Sequence, residues 1–283
     1  MDYKNPIPLL KEHHLSPKKE LGQNFLVDGS ILSHIVESAE ISKTTQVLEI
    51  GAGLGSLTYF LSQAAERVVA VELDQALLPI AQRVLQDCRN IELVEGDILK
   101  IDISSLHLPD GYTVVANIPY YITSAIIRKL LTTKEKPTRM VLTIQEEVAE
   151  RICAQAGEMN LLALSVQVFG RPDPILKIPA GAFYPTPKVD SVTLRIDLFS
   201  QPVIAEEKLD VFFRLIRAGF SQKRKMLRNT LSASLHIPRE EIDGYLEKAG
   251  IAPQRRAQTL SLEEWKILTE QFSPLIQPST TGS

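Results

Sequence analysis

Cysteine is scarce: Cys88 and Cys153 are the two in 283 residues, far apart and with no CxxC pair. Five scattered histidines add no ligand spacing, so no metal site is expected. Both thiols read as small buried hydrophobes of a reducing compartment, and a cytoplasmic location is expected. Long apolar runs are missing too. No stretch of about 18 residues lacks charge and polarity, which argues against a membrane span. The start, MDYKNPIPLLKEHH, shows no apolar stretch behind a basic one, so no secretory leader is expected. Nor is there a basic excess: 31 Lys and Arg against 34 Asp and Glu give −3, which excludes a generic polycation coating nucleic acid. With 44% apolar residues the chain can bury full-sized cores, and its length suggests about two domains.

Short β-branched runs alternate with amphipathic stretches through the first half. Strands are expected at 46–50, 67–72, 91–95, 112–116 and 139–144, and helices at 54–65, 74–87, 123–132 and 145–155. Such alternation predicts βαβ units, a mostly parallel sheet and an α/β, Rossmann-like fold. The runs 161–170 and 191–199 are expected to finish the sheet, as an antiparallel pair. Beyond residue 201 the pattern is helical, at 207–219, 223–235, 239–249 and 261–272. The expected domains are therefore 1–200, holding the sheet, and 201–283, small and all-helical. The Pro/Ser/Thr-rich end, 273–283, is expected to fray.

Strand 46–50 runs into Gly51-Ala52-Gly53-Leu54-Gly55. Glycines there let backbone approach a ligand, and the following helix offers its N-terminal N–H groups. Glu72 ends the next strand about 20 residues on, where an acid can accept both hydroxyls of a ribose. Asp97, after the third strand, can accept from an adenine amine. Nicotinamide enzymes and S-adenosylmethionine enzymes both use this chemistry, so the loop alone leaves both open. Asp97 as a turn cap and the loop as a plain βα turn are the structural alternatives.

The fourth strand runs into Asn117-Ile118-Pro119-Tyr120. Pro119 keeps Ile118 out of the helical region, which turns its carbonyl outward. That carbonyl and the Asn117 side-chain oxygen can accept the two hydrogens of an exocyclic amine, with Tyr120 as a flat face for its base. The order resembles the Asn/Asp-Pro-Pro-Tyr signature of methyltransferases acting on adenine or cytosine amino groups. A dehydrogenase has no evident use for this second site.

Leu21-Gly22-Gln23-Asn24-Phe25-Leu26, the Gly51 loop, the Asn117 motif, Ala182 to Ser191 (AFYPTPKVDS) and Gln222 to Lys225 (QKRK) together resemble the ribosomal RNA adenine dimethyltransferases, over about residues 18–272. The last two blocks are closest to the small-subunit branch. The resemblance implies an S-adenosylmethionine-dependent methyltransferase that dimethylates N6 of two adjacent adenines in a 3′-terminal hairpin loop of small-subunit rRNA. It implies action on a precursor small-subunit particle, as a monomer without metal or membrane. By the same resemblance Asn24 and Leu26 meet the methionine end of the cofactor, and Gly51 and Gly53 lie beneath it. Glu72 holds the ribose, Asp97 the adenine, and Asn117 both cofactor and target. Tyr120 and Phe183 clamp the flipped base. Two departures stand out. Lys18-Lys19-Glu20-Leu21 places an acid and a leucine where relatives often show a basic residue and an aromatic. Ile118 replaces the leucine common in the branch and is frequent in large-subunit enzymes.

Charge is segregated. Between Arg214 and Arg228 lie six basic residues and no acid, so the rest of the chain sums to −9. Arg217, Lys223, Arg224, Lys225 and Arg228, with Lys188 near the clamp, are the candidate RNA contacts. The alternatives are a large-subunit, resistance-conferring methyltransferase, a non-catalytic assembly factor and a nicotinamide oxidoreductase.

Overall fold

Apolar runs bounded by glycine, asparagine and proline settle where the strands start and stop. In the computed structural model residues 5–276 are described. The strands are β1 (Phe25–Leu26), β2 (Gln46–Ile50), β3 (Arg67–Glu72), β4 (Ile91–Glu95), β5 (Thr113–Asn117), β6 (Arg139–Gln145), β7 (Gly170–Ile178), β8 (Phe183–Tyr184) and β9 (Ser191–Leu198). Seven of them form one sheet in the order β4-β3-β2-β5-β6-β9-β7. Strands β2 to β6 run parallel, and β9 runs antiparallel to β6, pairing Thr143 with Thr193. Helices α1 (Pro6–Glu12), α2 (Gly29–Ser38), α3 (Ser56–Ala64), α4 (Leu78–Val84) and α5 (Thr123–Thr132) belong to the same unit. Central strands covered on both faces must be apolar throughout, and Val47, Leu48, Val68, Val69, Val114 and Val115 are fully buried. Each such side chain contributes about 1.5–3 kcal/mol on leaving water.

The chain divides into two compact units. The first runs to Ala149 and resumes over Pro172–Leu198, and the second joins Glu150–Arg171 to the chain from Phe199 onward. The segment 150–171 therefore packs with the helices, although a single boundary near 200 is the simpler expectation. The second unit carries α7 (Leu161–Gln167), α8 (Leu209–Gly219), α9 (Leu227–Leu235), α10 (Arg239–Lys248) and α11 (Leu262–Phe272); the short helix α6 (Glu146–Ile152) spans the boundary at Ala149.

The run 161–170 corrects the sequence expectation: its first seven residues are helix α7, not a strand. Asn160 caps it, accepting from Leu162 N at 3.0 Å and Ala163 N at 3.1 Å. The edge strand is β7 instead, despite Pro172 and Pro174, because an edge leaves room for residues without a donor. Of the tail, Ser273–Ile276 turn back after α11 onto a buried Ile276, and 277–283 lie outside the described residues.

The helical core centres on Trp265, the single tryptophan of the chain, which is fully buried beside Phe220. Ser261 starts its helix with a capping box: its hydroxyl accepts from Glu264 N, and the Glu264 carboxylate accepts from Ser261 N. Gly219 sits against the indole, where an added Cβ would stand 2.5 Å from Trp265 Cη2 and 3.1 Å from Leu227 Cδ1. At 2.5 Å from a packed indole the overpacking falls in the upper part of its usual range, about 2–3 kcal/mol, and outweighs the roughly 1 kcal/mol that alanine gains in a helix. Gly219→Ala is therefore expected to lower stability by about 1–2 kcal/mol. Urea unfolding followed by Trp265 fluorescence measures it, and an unshifted midpoint contradicts this packing.

Candidate active site

The parallel register brings the ends of four strands to one edge. Ile50 pairs with Val71 and with Ala116, so Gly51 follows level with Glu72 and Asn117. Glu72 pairs with Glu95, which places Gly96 and Asp97 at the next rung. Gly51 N donates to Val71 O at 2.8 Å, and Gly96 N to Glu72 O at 2.8 Å, so the loops leave the sheet already tied down. One pocket forms there, and Asn24, Leu26, Gly51, Gly53, Glu72, Asp97, Asn117, Ile118, Pro119 and Tyr120 all line it.

Gly51 has φ +83°, and the nearest atom to a Cβ built on it is Asn117 O, at 3.6 Å. A side chain there would fill the pocket floor; glycine keeps it open. Glu72 is nearly buried. Its two oxygens accept from Gly53 N at 2.7 Å and Asp74 N at 2.8 Å. Burial pushes its carboxyl up, against those two backbone bonds, which pull it down. A floor of open backbone beside a carboxylate held at a strand end suits a nucleoside-bearing cofactor, while Asp97 caps its own turn, accepting from Leu99 N at 3.0 Å.

The N-terminal segment forms the other wall. Asn117 Nδ2 donates to Asn24 O at 2.9 Å, and Asn24 Nδ2 donates to Gly22 O at 3.0 Å. With its nitrogen so engaged, Asn117 presents Oδ1 as an acceptor. Asp74 clamps the same segment, accepting from Lys18 Nζ at 2.7 Å and Gln23 Nε2 at 2.8 Å. Burial pushes Asp74 up, but Lys18, Gln23 and Ala76 N outweigh it and hold the carboxyl below its usual range. Tyr120 is half-buried, its hydroxyl 2.8 Å from the Oγ of the buried Ser191. Burial raises its phenol, with the Ser191 bond as a partial offset.

A family model described as ribosomal RNA adenine dimethylase matches residues 14–272. The chain belongs to this family. It is 43% identical to the ribosomal RNA small subunit methyltransferase A of Dehalococcoides mccartyi strain CBDB1, over 94% of this chain and 91% of that one. It is 39% identical to the protein of the same name from Anoxybacillus flavithermus, over 94% of both. Among solved structures it is similar to a dimethyladenosine transferase from Plasmodium falciparum, with TM-score 0.78, 27% identity, and 87% of this chain and 96% of that one covered. The 23S rRNA methyltransferase ErmE gives TM-score 0.73 at 27% identity, covering 87% and 98%.

Two groups of residues depart from what resemblance to adenine dimethylases leads one to expect. Phe183 does not line the pocket; it is 2% exposed and packs in the core with Leu26, Val115, Val141 and Ile178. It pairs with Leu26 across the β1–β8 ribbon. The basic residues also differ. Lys223, Arg224 and Lys225 lie exposed in the turn before α9, not on the helix expected from 223. Arg217 is exposed on α8, whereas Arg228 is held by Asp243 at 3.1 Å. Lys188 is exposed. Lys18, Gln23, Asp74 and Ser191 carry no chemistry that their type or spacing announces, because their roles depend on partners up to 71 residues away. Among the described residues no cluster of histidine, cysteine or acids is able to hold a metal, and no helix is long and apolar enough to cross a membrane.

Beneath the loop, Glu49 is fully buried and neither carboxyl oxygen has a hydrogen-bond partner among the described residues. Burial pushes it up to about 8; the neighbouring Thr58 hydroxyl pulls slightly down and the Glu72 charge adds to the rise. The folded protein thus keeps a proton that the unfolded chain releases near 4.5. Stability from this group is full below about pH 4.5 and is lost as pH rises towards 8. Glu49→Gln, neutral throughout, is expected to flatten the stability profile over that window and to gain most on the wild type at pH 8. Urea midpoints across the window decide it, and parallel profiles refute it.

Proposed function

We propose that the chain transfers methyl groups from S-adenosylmethionine to N6 of two adjacent adenines in the 3′-terminal hairpin loop of small-subunit rRNA, two per adenine, within a precursor particle. The observation that carries this is the Asn117 rim: an amide whose nitrogen is engaged by Asn24 O, leaving its oxygen as an acceptor, in the same pocket as Ile118, Pro119, the glycine floor and Glu72. The names of its relatives support the small-subunit substrate.

An adenine amine donates its lone pair to the ring and is a poor nucleophile. Asn117 Oδ1 and Ile118 O, as two acceptors, hold its hydrogens and favour a pyramidal nitrogen whose lone pair points into the pocket. Pro119 fixes the peptide that carries the second acceptor, and Tyr120, braced by Ser191, supplies a face for the base. Asn24 and Leu26 close over the methionine end, Gly51 and Gly53 leave the floor bare, Glu72 accepts from the ribose and Asp97 from the adenine. When bound, the sulfonium supplies a methyl group that is already activated. Positioning and two hydrogen bonds then suffice: the nitrogen that has gained a methyl group is cationic and strongly acidic, so it gives its extra proton to solvent and no strong base is required. Lys188 and Arg217, with the turn Lys223 to Lys225, supply phosphate contacts.

Asn117→Ala is expected to lower kcat by about 10²–10³, the usual effect of losing one oriented hydrogen-bonding group. Transfer of labelled methyl groups into unmethylated small subunits reads this out, and mass spectrometry of the rRNA 3′ fragment locates the product. A wild-type enzyme that leaves that fragment bare sinks the proposal. The likeness to ErmE keeps large-subunit rRNA as the second reading, so methylation of that RNA alone would favour it. Replacing Lys223, Arg224 and Lys225 together by alanine should weaken RNA binding and lower the slope of log K against log salt by about 2. A slope unchanged by the triple substitution removes the turn from the interface.

A further inference from the structure

Three aromatic rings line the pocket: Phe25, Tyr120 and Tyr121. Two of them have work within the protein. The Phe25 ring lies over Gly53, where a Cβ would stand 3.2 Å from its Cε1. Tyr120 is half-buried and bound to Ser191. Tyr121 differs from both. It is 62% exposed, more than any other large apolar side chain among the described residues, and its hydroxyl makes no hydrogen bond there. Single exposed apolar side chains are ordinary on a protein surface, so what sets this ring apart is its place at the mouth of the pocket, beside Pro119 and Tyr120.

The ring is also held in place. Gly22 has φ +61°, and a Cβ on it would stand 3.2 Å from both Tyr121 Cε1 and Pro119 Cβ. Glycine therefore lets the N-terminal segment close against one edge of the ring, while Pro119 stiffens the chain leading to it. A flat face so prepared suits a flat partner.

We infer that Tyr121 is a stacking platform for an unpaired RNA base neighbouring the target adenine. This rests on the adenine-methylating function proposed above. Tyr120 faces the base being methylated, so the ring one residue further along the rim meets the next nucleotide. Loops in RNA are read through splayed bases, and stacking accepts any base because each has a π face. The contact therefore strengthens binding of a loop whose bases are turned out, whatever their order.

The experiment measures methyl transfer by the full chain to unmethylated small-subunit particles. Tyr121→Ala is expected to raise KM for the particle about 5- to 100-fold, the usual worth of one stacked base, with the loss falling on KM rather than kcat. Affinity for S-adenosylhomocysteine and the melting temperature should stay at wild-type values, which a structural role would not allow. Tyr121→Phe and Tyr121→Trp should restore KM, and Tyr121→Leu should not. A KM within twofold of wild type for Tyr121→Ala, or full rescue by leucine, overturns the inference. A photo-crosslinking side chain at position 121 should mark rRNA; a crosslink to protein alone overturns it equally. A wild-type enzyme inactive on the particle instead removes the proposed function, so the two failures are told apart.

Discussion

Parallel strands in register have their carboxyl ends on one side, and every chemical group of the pocket depends on that. Ile50, Val71 and Ala116 share a rung, so the residues that follow them, Gly51, Glu72 and Asn117, leave the sheet together. A slip of one residue in any pairing would move the affected group off that rung and turn neighbouring side chains to the opposite face. The buried valines and leucines of β2, β3 and β5 make such a slip expensive, because each would carry apolar surface into the wrong layer. Core packing thus sets the position of polar atoms that contribute little to the core themselves.

The sheet supplies only part of the pocket. The segment from Lys18 to Leu26 carries one 3-10 turn (Lys19–Leu21) and the two-residue β1. Side chains hold much of it: Asp74 takes Lys18 and Gln23 and Asn117 takes Asn24, while the backbone of Leu26 pairs with Phe183 across the β1–β8 ribbon. Asp74 is 4% exposed, so losing its partners would leave a buried carboxylate uncompensated. That asymmetry holds the segment more firmly than the count of its contacts suggests. Asn117 is doubly committed, since its nitrogen fixes the segment and its oxygen is thereby aimed. One amide joins the cover of the pocket to its rim.

The sheet was legible in sequence where burial is two-sided. Strands 46–50 and 67–72 are visible to the residue, because parallel strands under helices are largely apolar. Strand 91–95, at the sheet edge with Glu92 and Glu95 exposed, is marked by its alternating apolar residues and the Gly96 that ends it. The same rule fails at 161–170, where an apolar run buried all round is equally consistent with a helix, and Asn160 decides. Gly51, Gly53, Glu72, Asp97 and Asn117 to Tyr120 were legible from strand ends and turn chemistry. Asn24 and Leu26 came only with the family resemblance, and Phe183, expected with them, does not line the pocket. A motif names a residue type without its orientation, and the ribbon with Leu26 directs this ring inward. Basic residues were visible as composition but not as availability: Arg228 has an acid 15 positions away on α10, and Lys223 to Lys225 stand in a turn.

The proposed reaction asks opposite things of the chain's charge. A sulfonium cofactor with ribose hydroxyls favours acids, and Glu72, Asp74 and Asp97 surround or support that pocket. A phosphate backbone favours bases, and six are concentrated between Arg214 and Arg228. Spreading either set evenly would weaken both, since acids beside the phosphates repel them and bases beside the sulfonium do the same. Within the sheet unit Glu49 shows how far the acidic side is pressed, a carboxyl so buried that it keeps its proton to about pH 8. A net charge of −3 is therefore the residue of two opposed local excesses, and the local values are the ones a cofactor or an RNA loop meets.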